Sequence, residues 1–284
     1  MPIGIGVLVT RSIWVGAVQG TRLDNVLMFP EPGQQRVELR SLRPDEILGE
    51  IRRMVSTLRN GAEVTSVGAG FPGVVRNGVI EDSPNLGQLK GMHIAEELAA
   101  TLQQDGIAAP VNVVNDADAL AAGIAVTSQA AELPVRVWYL GDGIGFGHYP
   151  RGEGIWEAGH TVVSIDPKEK YCGCGGVGHL EGICGHRSMR LRFLDMEPEE
   201  VFAAARQGDA RSAEFVKLWH RALAAATATS IHLEGPGVFH VSGPNADFVD
   251  SKLLEIYLHD MVKMSPLKGS RFELVPTSQD LAQE

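Results

Sequence analysis

Glu157-Ala158-Gly159-His160 and, a short interval later, Cys172-Gly173-Cys174-Gly175-Gly176-Val177-Gly178-His179-Leu180-Glu181 form the most informative stretch of the chain. It gathers His160, Cys172, Cys174 and His179 in one glycine-rich run. Zn2+ takes four thiolate or imidazole ligands in a tetrahedron. Glycines around a Cys-x-Cys pair permit the tight turns that wrapping a metal demands. A lone loop histidine is usually just a loop histidine, but this clustering favours a metal. All four positions can be filled by protein, which favours a structural ion. Cys184 and His186 are spare donors, so the fourth ligand stays open. The chain has three cysteines, clustered within 172–184, which argues against a disulfide scaffold. Glu157 and Glu181 bracket the run, and carboxylates accept paired hydroxyl hydrogen bonds well, as a sugar would offer.

Upstream, Val135–Leu140 reads as a strand running into Gly141-Asp142-Gly143-Ile144-Gly145-Phe146-Gly147, whose first five residues form a glycine loop with amides that could cradle an anion. Asp142 carries the wrong charge for that task. Residues 116–130 are alanine-rich and read as a helix, with Asn115-Asp116 at its start. A carboxylate there is either a helix cap or a general base. Further upstream, strands at 3–9, 12–18 and 26–29 suggest an antiparallel meander, followed by a helix over 44–59, a strand over 64–70, a helix over 91–103 and a strand over 111–114. Downstream, 151–187 reads as loop. Helices follow over 198–207 and 209–233, a strand over 237–242, a helix over 251–262 and a last strand over 272–275. A meander followed by strand–helix alternation predicts an α/β fold with crossover connections.

Lys and Arg number 25 against 35 Asp and Glu, a net charge of -10, which argues against a nucleic-acid binder. No basic-then-apolar leader and no apolar run long enough to span a bilayer is apparent. The expectation is a soluble cytoplasmic protein with no membrane partner.

Read in order, these segments resemble the repressor–ORF–kinase (ROK) family of sugar kinases over nearly the whole chain. Gly70-Phe71-Pro72-Gly73 with Ser83-Pro84-Asn85-Leu86-Gly87 is similar to its G-x-P-G … S-P-N-L segment. Asn115-Asp116-Ala117-Asp118-Ala119 resembles N-D-x-N-A, and Glu157–His160 resembles E-x-G-H. Residues 172–181 resemble C-x-C-G-x-x-G-C-x-E, with His179 in place of the third cysteine. The resemblance implies two lobes of the actin-like ATPase (ribonuclease H-like) type, here 1–118 and 119–284, with a sugar in the cleft and a homodimeric state. It implies that Asn85, Asn115, Asp116, Glu157, His160 and Glu181 contact the sugar. Asp116 would be the base for the attacking hydroxyl. His160, Cys172, Cys174 and His179 would hold a structural Zn2+.

The departures from the family lie in the nucleotide half. Where the family has D-x-G-G-T, this chain has Gly6-Val7-Leu8-Val9-Thr10, and only Thr10 remains. Asp142 replaces the threonine of the second phosphate loop, leaving Gly141 and Gly143, and the adenosine loop is reduced to Ser242-Gly243-Pro244. Thr10, Gly141, Gly143 and Gly243 are thus a degenerate nucleotide set, and ATP with Mg2+ is an open expectation. One reading is a hexose or amino-sugar kinase. The alternative is a sugar-binding pseudokinase, acting as sensor or regulator, or a sugar-active enzyme of another class.

Overall fold

The computed structural model describes residues 2–31, 37–128, 134–150, 154 and 157–275. The last two residues of the helix expected over 116–130 lie outside the described residues, as do 151–153 and 155–156 of the expected loop. The chain divides into two compact units, and the division falls between 128 and 134.

The first unit opens with β1 (Ile3–Val9), β2 (Ile13–Gln19) and β3 (Arg22–Phe29), an antiparallel meander. Ile3, Ile5, Val7 and Val9 alternate inward along β1 with half-buried neighbours, the period-2 pattern of a sheet with one face in the core. Helix α1 (Pro44–Arg59) begins with proline at its first turn, where no N–H partner is lost, and Glu46 accepts the Arg43 N–H at 2.7 Å. It buries Ile47, Leu48, Ile51, Met54 and Val55 and ends at Asn60 in the left-handed region. Strand β4 (Val64–Phe71) then lies parallel to β1. A small hairpin follows, β5 (Val74–Arg76) and β6 (Val79–Asp82), turning through Asn77 and Gly78, both at positive φ. Helix α2 (Ile94–Gln103) leads to β7 (Val111–Asn115), parallel to β4, and then to α3 (Asp116–Thr127). The sheet order is β3-β2-β1-β4-β7. Three antiparallel strands continued by two parallel ones, with helical crossovers, are the ribonuclease H-like arrangement that the resemblance implies.

The second unit is built on β8 (Val135–Leu140) and β9 (Ile144–Tyr149), paired antiparallel. Short helices α4 (Leu180–Cys184) and α5 (His186–Arg192) follow, then α6 (Pro198–Arg206) and the long α7 (Ala210–Glu234). Strand β10 (Val238–Ser242), helix α8 (Ser251–Met261) and β11 (Arg271–Leu274) complete it, with sheet order β11-β10-β8-β9. Trp138, Leu140, Trp219, Leu223, Phe239 and Val241 are fully buried in one core. Burying side chains of this size stabilises by roughly 1.5–3 kcal/mol each. Trp138 Nε1 donates to Thr227 Oγ1 at 3.0 Å, which joins β8 to α7 and satisfies a buried donor. Among the described residues no helix is long and apolar enough to cross a membrane.

Two expectations change. The glycine loop does not extend to residue 145, because β9 begins at Ile144. Its signal is a period-2 alternation of Ile144, Phe146 and His148 with glycines, and glycine hides it. Nor is the region up to 187 all loop: α4 and the start of α5 lie in it. Helices of five and seven residues are marginal by propensity and persist through packing, here of Leu180, Ile183, Cys184 and Met189.

Candidate functional site

In the second unit, residues 160 and 179 are brought together by backbone. Leu180 N–H donates to Thr161 O at 3.0 Å, Val163 N–H to Gly178 O at 2.8 Å, and Gly178 N–H to Glu169 O at 2.8 Å. Val162 and His179 thereby form an isolated antiparallel bridge. Gly178 has φ of +73°, and a Cβ there would lie 1.8 Å from Ser164 O, so only glycine closes this crossing. The loop is also clamped by Arg192, whose guanidinium is bidentate on the Glu169 carboxylate (Nη1 to Oε1 at 3.0 Å) and lies 4.2 Å over the Tyr171 ring.

This closure assembles the expected cluster. Cys172 Sγ is 3.5 Å from His160 Nδ1 and 3.3 Å from Cys174 Sγ, and Cys174 Sγ is 3.3 Å from His179 Nδ1. One donor atom from each of the four residues lies within 4.8 Å of the others. Ligand edges of a zinc tetrahedron are roughly 3.3–3.8 Å, from Zn–S near 2.3 Å and Zn–N near 2.0 Å. The donor set and its spacing fit such an ion. Cys184 is instead buried with its thiol toward Trp219 O at 3.5 Å, and His186 Nδ1 is 2.9 Å from Asn245 Oδ1. Neither spare donor belongs to the cluster. Burial pushes the Cys172 thiol up to about 12, with Cys174 and the Glu181 carboxylate also near it. Burial, then the neighbouring His160, lowers His179, which keeps that ring in the neutral form a metal needs. His160 turns Nδ1 to the cluster and Nε2 toward Glu157, 4.0 Å from its Oε2.

Glu181 stands in the first turn of α4. Its Oε2 accepts the Ile144 N–H at 3.1 Å, and its Oε1 lies 3.4 Å from Cys172 Sγ. The 141–143 turn is closed by Gly141 N–H donating to Gly143 O at 3.0 Å. Gly243 has φ of +93°, and a Cβ there would lie 2.6 Å from Leu140 O. Its glycine is required by close approach to β8.

In the first unit, Asn115 ends β7 and caps α3. Its Oδ1 accepts the N–H groups of Ala117 (2.8 Å) and Asp118 (3.2 Å), and its Nδ2 donates to Gly73 O at 2.8 Å. The cap expected of Asp116 therefore belongs to its neighbour. Asp116 begins the helix, with Oδ1 accepting the Ala117 N–H at 3.0 Å. A carboxylate there also lies at the positive end of the helix dipole. Asn85 is exposed, just before the buried Leu86. Thr10 N–H donates to Ser12 O at 2.9 Å in the β1–β2 turn. Val9 is fully buried, and Leu8 pairs in register with Gly70.

Three side chains that hold these loops escaped the sequence reading. Glu169 and Arg192 are 23 positions apart with no motif joining them. Asn245 follows Gly243-Pro244 at a strand end, a position where a polar residue was a readable signal.

The sequence model of the ROK family matches residues 33–248, well over half the chain. The chain belongs to the ROK family. A glucokinase of Pyrobaculum calidifontis is 29% identical over 215 residues, covering 68% of this chain and 70% of that protein. Among solved structures, the ROK hexokinase of Thermus thermophilus is similar with a TM-score of 0.76 and 20% identity, over 99% of this chain and 95% of its own. A ROK family transcriptional regulator, homolog of the E. coli MLC protein, is similar with a TM-score of 0.77 and 19% identity, over 99% of this chain and 76% of its own. The fold of this ROK chain is thus the two-lobed actin-like ATPase type, shared by kinases and regulators alike.

Proposed function

We propose that this ROK chain is a sugar kinase that transfers a phosphoryl group to a hydroxyl of a hexose or amino-sugar. What carries the reading is family membership together with an intact sugar-side motif set, Asn115-Asp116, Glu157–His160 and Glu181. Its similarity to a glucokinase supports the same substrate class.

Asp116 would accept the proton of the attacking hydroxyl. As the hydroxyl oxygen bonds to phosphorus, the bond from phosphorus to the donor's leaving oxygen breaks. Asn115, with Oδ1 and Nδ2 already engaged in the cap and the Gly73 tether, would orient the Asp116 backbone as well as meet substrate. Glu157, Glu181 and Asn85 would accept or donate hydroxyl hydrogen bonds. His160, Cys172, Cys174 and His179 would hold Zn2+, which supplies structural order to the loop and no chemistry. His160 would bind it through Nδ1 and present Nε2 to the sugar, so the metal fixes the ring's tautomer. Thr10, Gly141, Gly143 and Gly243 would line the donor side, with ATP and Mg2+ as the donor pair known for such phosphotransfer. A homodimer and a cytoplasmic location follow from the same family reading.

A second reading, sugar binding without transfer, is favoured by one observation. Leu8 and Val9 occupy the positions of two family glycines, and Val9 is built into the core. Side chains there remove the close backbone approach that phosphates use.

The deciding experiment offers hexoses and amino-sugars with ATP–Mg2+ or polyphosphate, measuring transfer and sugar binding separately. The kinase reading expects turnover with at least one pair, reduced roughly 10²–10⁴-fold in Asp116→Asn while sugar binding persists. Sugar binding with no transfer from any donor would replace it by the second reading.

A further inference from the structure

The 141–143 turn is fastened by Asn245 and His186, neither of which belongs to the sugar site or the Cys/His cluster. Strands β8 and β10 are parallel neighbours, with Tyr139 opposite Ser242, so the segments leaving their C-terminal ends emerge side by side. One is the 141–143 turn and the other is Gly243-Pro244-Asn245. The C-terminal ends of parallel strands are where α/β sheets receive ligands.

Asn245 is fully buried there, at 0% exposure. Its Nδ2 donates to Gly141 O at 3.1 Å and to Cys184 O at 3.3 Å. Two carbonyls at one end of the amide require that end to be nitrogen, because carbonyls only accept. Oδ1 therefore faces His186 Nδ1, at 2.9 Å, and that ring nitrogen must carry the proton. The His186 backbone N–H adds a second donor to Gly141 O, at 2.9 Å. Gly141 is thus held at its carbonyl by two residues from different elements, while its N–H closes the turn on Gly143. A buried amide with both ends satisfied admits one low-energy arrangement. Removing it takes the side-chain donor from Cys184 O and one of the two donors from Gly141 O, which keeps only the His186 N–H.

We propose that Asn245, oriented by His186, is a positioning residue for the phosphoryl donor, holding the 141–143 turn through Gly141 in the shape that receives the donor's phosphates. The inference rests on the kinase reading for its ligand, but the fastening itself is testable without turnover.

The test compares Asn245→Ala, His186→Ala and His186→Asn with the unsubstituted chain. Donor KM and sugar KM are measured separately, and amide hydrogen exchange is followed in the peptide spanning 141–144. The Asn side-chain nitrogen in His186→Asn can reach the place of His Nδ1 and restore the bond to Asn245. The expected result is a rise of about tenfold in donor KM for Asn245→Ala and His186→Ala, the size of one lost buried hydrogen bond. Sugar KM should change less than about twofold. Exchange at 141–144 should quicken in both, and His186→Asn should recover most of the loss. Equal changes in both KM values, or no difference between His186→Ala and His186→Asn, would overturn the proposal. Should Asn245→Ala not fold, the two His186 variants decide alone. Should the wild-type chain transfer from no donor, the kinase reading fails, and exchange at 141–144 unchanged by His186→Ala would then sink the fastening too.

Discussion

The Glu181 carboxylate accepts the Ile144 N–H at 3.1 Å, tying the first turn of α4 to the first residue of β9. Its other oxygen lies 3.4 Å from Cys172 Sγ, so one side chain spans the Cys/His cluster and the glycine turn. Glu181→Gln keeps an oxygen for the amide, whereas Glu181→Ala leaves the Ile144 N–H without this acceptor. The alanine variant should lose about 1–3 kcal/mol in urea unfolding and the glutamine variant clearly less. Equal losses would mean that charge, not the hydrogen bond, is what matters.

Asn115 serves two elements through one amide, capping α3 and tethering Gly73. Asn115→Ala should cost about 2 kcal/mol, near 1 for the cap and near 1 for the tether. Asn115→Asp retains a capping oxygen but turns a carboxylate oxygen on the Gly73 carbonyl, so its loss should come from the tether, at about 1 kcal/mol or more, with the cap kept. Denaturant midpoints at constant m-value measure both.

The four-residue cluster should bind one Zn2+ per chain. Cys174→Ser and His179→Ala each remove one of four ligands while leaving the Glu169–Arg192 clamp in place. Metal content by elemental analysis should fall well below one per chain in either variant. Chelation of the wild type should lower its melting temperature. A metal-free preparation as stable as the loaded one would remove the structural role.

His220 links α7 to the start of α8 in a way that depends on its neutral form. Nδ1 is 2.7 Å from Val216 O, and Nε2 accepts the Asp250 N–H at 2.9 Å. Burial lowers this imidazole below its ordinary value, outweighing the Val216 carbonyl and Asp250. A histidine depressed in the folded state is protonated more readily when unfolded. Its contribution to stability is present above the unfolded value of about 6.5 and is lost as pH falls through the lower folded value. Burial lowers His240 in the same direction. Unfolding free energy should therefore decline below about pH 6.5, and His220→Gln should flatten that decline. A slope unchanged in the variant would assign the acid sensitivity elsewhere.

Much of the fold could be read from residue order. Helix α1 announces itself by Pro44, the spacing of Ile47, Leu48, Ile51, Met54 and Val55, and the Asn60-Gly61 stop, all local signals. The cluster was legible because metal chemistry admits few residue types, and Cys172, Cys174 and His179 stand close in sequence. Local patterning failed where glycine replaced it, at β9, and where helices were too short to form without packing, at α4 and α5.

Other assignments needed the folded chain. Whether His179, Cys184 or His186 completes the cluster turns on a bridge between Val162 and His179 that no spacing rule foretells. Asn115 rather than Asp116 takes the cap because Gly73, 42 positions away, accepts its nitrogen and orients the amide. Asn245 reaches Gly141, 104 positions away in sequence, only because two parallel strands end side by side. Short-range pattern and side-chain chemistry are carried by neighbouring residues, so the order of amino acids displays them. Partnerships across long loops exist only once strand pairing has closed those loops.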